Sequence, residues 1–118
     1  MKKLLVVALA ILALALLGAT IPIERPIQGA KGATTEPGWP ACSAKGSDQK
    51  VFENYVQALV TEDGFRIQYY EMHKGCGAIK GGLVAEVLEV GKWWVKVRVW
   101  SNPKKPSIVY TSPAAIKE

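Results

Sequence analysis

Behind Lys2 and Lys3 runs an unbroken apolar stretch, Leu4 to Leu17, closed by Gly18. It limits the fold more than any other feature, because it removes the first fifth of the chain from any globular core. A positive start followed by an apolar core is the layout of a secretory signal. A cleavage site should then follow, with small residues at −3 and −1. A cut after Ala19 instead puts Leu17 at −3. Leu4 to Ile23 is also about the length, roughly 20 apolar residues, that crosses a bilayer. Cleaved signal and uncleaved anchor therefore stand as rivals for residues 1–23. A buried core helix is the third reading, disfavoured because no polar face interrupts the run. Lys2 and Lys3 favour an N-terminus kept inside and a chain sent out. The expected location is extracellular or on the outer face of the cell membrane.

What remains can form one domain, since single cores typically take about 100–150 residues. The full chain of 118 residues carries 15 Lys and Arg against 10 acids. Setting Lys2 and Lys3 aside leaves a mild excess of the kind that keeps small proteins soluble. It is not a nucleic-acid signature. Cys42 and Cys76 are the two cysteines, and an even count in an exported chain reads as one disulfide. A redox thiol would need a CxxC pair or a nearby base, and neither is evident.

Residues 24–46 hold Pro26, Pro37 and Pro40 with Gly29, Gly32 and Gly38. Their apolar residues show no helical or strand period, which reads as a tether. From Asp48 the pattern changes. Val51, Phe52, Tyr55, Val56, Leu59 and Val60 mark one stripe of a helix. Ser47 or Asp48 would cap its start and Gly64 its end. Its β-branched content, and Glu62-Asp63-Gly64 as a hairpin turn, keep a strand reading open for 48–62. Phe65, Ile67 and Tyr69 alternate with Arg66 and Gln68 as in a strand. Leu83 to Val90 is a second strand and Gly91-Lys92 a two-residue turn. Trp93 to Trp100 is a third, with Trp93, Val95, Val97 and Val99 on its inward face. Ser107 to Ser112 is a fourth. The expectation is an α+β fold: a small antiparallel sheet of three to four strands with one N-terminal helix, spanning 47–118.

No residue set for catalysis or metal binding emerges. His73 lies three residues from Cys76, but a structural zinc site wants four ligands, and a Cys–His nucleophile needs an orienting third group. Gly75, Gly77, Gly81 and Gly82 lack the Lys-Ser/Thr and helix of a phosphate loop. They read as backbone geometry. The outward stripe Trp94, Lys96, Arg98 and Trp100 is the candidate binding surface, since aromatic and cationic side chains alternating along a strand can stack on a partner. The competing reading is packing, with the helix over the stripe or the Lys and Arg stems over the rings.

From Phe65 onward, over about the last 55 residues, the order of features resembles the C-terminal domain of the PrcB family, the protease-complex-subunit proteins. The matching pieces are a strand at Phe65 to Met72 and the loop Gly77-Ala78-Ile79-Lys80-Gly81-Gly82. The hairpin Leu83 to Trp100, the loop Ser101 to Pro106 and the end Tyr110-Thr111-Ser112-Pro113 complete them. The family usually has Thr-Gly-Gly-aromatic where this chain has Lys80-Gly81-Gly82-Leu83, and a Pro before that Thr which is absent here. The resemblance implies an exported, non-catalytic accessory domain that helps a cell-surface protease complex assemble or persist. It also implies a partner-binding role for the loop at Gly81 and Gly82. The expected partner is a protein, with no cofactor and no nucleic acid, and with the membrane engaged through residues 4–23 if these stay uncleaved. Two rival functions stand beside it. One is a structural surface-layer or filament-type subunit joined through strand edges; the other is a carbohydrate-binding module using Trp94 and Trp100.

Overall fold

A computed structural model of the chain describes residues 28–45 and 48–117. The signal or anchor segment lies outside them. Among the described residues seven strands form one antiparallel sheet: β1 (Ala33–Thr35), β2 (Pro40–Ser43), β3 (Cys76–Ala78), β4 (Val84–Val90), β5 (Val95–Trp100), β6 (Pro106–Thr111) and β7 (Ile116–Lys117). Their order is β3-β2-β6-β5-β4-β1-β7. Two helices, α1 (Gln49–Val60) and α2 (Gly64–His73), separate β2 from β3. The class is α+β, as expected, but the sheet is larger and the helices among the described residues are two.

Two extra strands come from residues 33–43, inside the stretch that reads as a tether. The segment bends at Glu36-Pro37-Gly38. Its first half, β1, pairs with β4, and its second half, β2, pairs with β6. The meander β4–β5–β6 is thereby closed on itself by one bent segment, in the manner of a small barrel that leaves few free edges. Backbone bonds carry the ribbon through the bend: Thr35 N donates to Leu83 O (3.0 Å), Gly82 N to Thr35 O (2.8 Å) and Ile79 N to Trp39 O (2.8 Å). Strands of three and four residues broken by Pro-Gly carry too few alternations to be read as strands.

Inside the closure lie Ala33, Ala85, Val87, Val95, Val97, Val99 and Ile116, all buried, and Ala41, Ile79 and Ala115 extend this core. The β-branched residues of β5 fall on this face at period two, as the sequence predicts. Trp93 does not join them. It is 53 % exposed, because the turn between β4 and β5 is one residue later than expected. Gly91 N donates to Trp94 O (2.8 Å), leaving Lys92 and Trp93 as the turn. Gly91 serves for space rather than for a left-handed backbone: a Cβ there would run into the Trp94 indole.

The other face of β2, β3 and β6 is covered by the helices. Asp48 caps α1, accepting from Lys50 N at 3.0 Å. Phe52, Tyr55 and Leu59 are buried against Cys42, Cys76 and Tyr110. The Phe65 to Tyr69 strand of the sequence reading is corrected by the structure, for this segment is α2. Asp63 caps it, accepting from Arg66 N at 3.2 Å, and Glu62 with φ 55 makes the turn between helices. Gly64, expected to end α1, instead begins α2. Ile67 and Tyr70, three apart, pack toward α1, while Phe65 and Tyr69 point outward. The alternation was real, but the aromatics mark the solvent face and not the core.

Candidate functional site

The Cys42–Cys76 bridge is formed, with the two residues in register across β2 and β3. It ties edge strand β3 to the sheet beneath α1. Its 34-residue separation corresponds to about 3–4 kcal/mol of loop-closure stabilisation. Cys76 is therefore withdrawn from any pairing with His73, which stands exposed on α2 with its ring 5.2 Å from that of Tyr69.

The outward stripe of β5 divides in two. Register sets Trp100 beside Val84 and Pro106, Arg98 beside Glu86 and Ile108, and Lys96 beside Glu89 and Tyr110. Trp94 and Lys96 are taken up by the helix-covered end. The Trp94 indole meets the Tyr110 ring edge-on at 5.4 Å and packs on the cluster of Phe52, Tyr55 and Leu59. The Lys96 ammonium lies 5.8 Å over the Tyr110 ring. Packing accounts for this half of the stripe.

Arg98 and Trp100 lie at the other end, where the surface is open. The principal contacts of α1 and α2 are with β2, β3, β6 and each other, not with β4 or β5. Val84 is 51 % and Ile108 36 % exposed, and Trp100 is half-buried between them. Arg98 Nη1 donates to Glu86 Oε1 at 2.7 Å across the middle of this face. The pair is half-buried, and a pair at the surface of a sheet is worth only about 0–1 kcal/mol to stability. It does fix the guanidinium plane, and the remaining N–H groups of an arginine fork suit a carboxylate or carbonyl.

The loop of Gly81 and Gly82 adjoins the same end, since Val84, the partner of Trp100, follows two residues later. Each glycine has a structural reason. A Cβ on Gly81 would stand 2.7 Å from Pro37 Cδ, and Gly82 has φ +75. Thr35 stitches the loop to the bend, its hydroxyl donating to Lys80 O (2.6 Å) and accepting from Leu83 N (3.0 Å). Of the six residues expected to bind, Arg98, Trp100, Gly81 and Gly82 thus gather at one end, and Trp94 and Lys96 do not join them. Val84, Glu86 and Ile108 complete the face. They escape a reading of single strands because only the register across β4, β5 and β6 brings them together.

Comparison with protein-family models, with curated proteins and with solved structures finds no match.

Proposed function

We propose that the protein is an exported, non-catalytic accessory module that binds a protein partner through the open face of β4, β5 and β6. The observation that carries the reading is the division of the β5 stripe. One indole is spent on packing, while Trp100, Arg98, Val84 and Ile108 are left in a contiguous patch with an ion pair at its centre. Aromatic and arginine side chains of this kind dominate protein interfaces. The bridge between Cys42 and Cys76 is consistent with an oxidising location outside the cytosol. The PrcB-like order of features suggests the partner class, a secreted or surface-held protease that the module helps to assemble or persist.

The rival functions are less well supported. Filament growth by edge pairing would use β3 and β7, which are three and two residues long, and β3 is pinned by the disulfide. Short edges of this kind resist strand addition. A sugar platform of Trp94 and Trp100 needs both indoles free on one surface. They stand six residues apart, roughly 20 Å along the strand, and Trp94 is packed.

The test is comparative capture from the native membrane and secreted fractions with tagged full-length chain. Trp100→Ala should lose a partner that wild type and Trp93→Ala both retain, corresponding to more than about 2 kcal/mol of binding energy. Equal recovery by Trp100→Ala and wild type would reject the open face as the binding surface.

A further inference from the structure

The sheet face is not the only exposed apolar surface. Phe65 is 89 %, Tyr69 51 % and Met72 67 % exposed, and at positions i, i+4 and i+7 they form one stripe along the outside of α2. No residue of α2 is buried. No ionised side chain stands in the stripe. Glu71 is turned inward, its carboxylate accepting from the Tyr55 hydroxyl at 2.8 Å. Arg66 is half-buried with its backbone in the Asp63 cap, and Lys74 sits at the helix end, where a long side chain can reach water.

We propose that this stripe rests in the interface of a lipid bilayer when residues 4–23 insert in it. The occupant follows from the length of chain outside the described residues. From Ile23 to Gln28 there are five residues, which extend to at most about 18 Å. The shortest dimension of the domain is 23 Å. A chain inserted through residues 4–23 therefore holds the domain within about 18 Å of the bilayer, close enough for one of its faces to rest on the lipid. The two apolar faces differ in what burial would cost. The sheet face carries the Arg98–Glu86 ion pair, whose removal from water is expensive. The α2 stripe carries two aromatics and a methionine, the kind of face with which interfacial helices enter the headgroup boundary. The helix thus goes to lipid, and the sheet face stays free for a protein. The inference rests on the anchor reading of residues 4–23, on which the experiment reports separately.

Full-length chain would be reconstituted in phosphatidylcholine nanodiscs containing a lipid with a diazirine near the headgroup end of its acyl chain. Irradiated samples would be digested and mapped by mass spectrometry. Labelled peptides are expected from 4–23 and, as a second set, from 65–72. The variant Phe65→Ser/Met72→Ser changes two exposed residues and should lose the second set while keeping the first. Label on 65–72 without label on 4–23 would sustain the lipid contact and refute the anchor. Label on 4–23 with none on 65–72, or label centred on Val84 and Ile108, would overturn the proposal.

Discussion

At the residue scale the clearest device is the contact between Gly91 and Trp94. The indole lies so close to the Gly91 backbone that a methyl group has no room, and Tyr110 blocks its retreat. Gly91→Ala should cost about 1–3 kcal/mol, the usual range for overpacking, as read by urea unfolding. In a Trp94→Ala background the same change should cost little, and a full cost there would place the strain elsewhere. Tyr55 supplies a second test. Its hydroxyl is pushed well above the ordinary phenol range, first by burial and then by the hydrogen bond to Glu71. The folded state therefore holds this proton more tightly than the unfolded chain, whose tyrosine titrates near pH 10. The stabilisation is complete below that pH and drains away as pH rises above it. Tyr55→Phe should flatten this alkaline limb, checked by melting at a series of pH values. An unchanged limb would mean that other groups set it.

At the element scale, the bridge between β2 and β3 does what the closed bend cannot, for β3 is a three-residue edge. Cys42→Ser/Cys76→Ser should lose about 3–4 kcal/mol in chemical denaturation, and β3 should exchange its amide hydrogens first. A loss under about 1 kcal/mol would leave α1 and α2 as the true clamps on that edge. The elements also show where sequence pattern suffices. Period-two alternation of Val95, Val97 and Val99 located β5 and its inward face, and the apolar stripe behind Ser47 or Asp48 favoured the helix α1 over the strand left open for 48–62. Both patterns are long, and Val95, Val97 and Val99 in one and Phe52, Tyr55 and Leu59 in the other are buried. Segment 64–73 misled because Phe65 and Tyr69 are exposed. Alternation is informative only when apolar means inward, and the capping residue Asp63 was the better signal. β1 and β2 were hidden for a different reason. Their pairing partners lie between 34 residues (Cys42 and Cys76) and 83 residues (Thr34 and Lys117) away, and nothing local in Ala33-Thr34-Thr35 or Pro40-Ala41-Cys42-Ser43 reports them.

At the scale of the whole molecule, the bend at 36–39 and the hairpin of β4 and β5 assign work to opposite ends of one strand. The Trp94 end anchors the helical layer, and the Trp100 end is left with the Gly81–Gly82 loop as an open surface. The alternating stripe was legible in the sequence, but its division was not, because that depends on which strands α1 covers. The most direct measurement is equilibrium urea unfolding of Trp94→Ala and Trp100→Ala beside wild type. Trp94→Ala should lose about 2–3 kcal/mol, somewhat below the range for a fully buried tryptophan. Trp100→Ala should lose less than about 1 kcal/mol, as surface changes do. Equal and large losses would contradict the account, for Trp100 would then belong to the core and the face beside it could not be a binding surface.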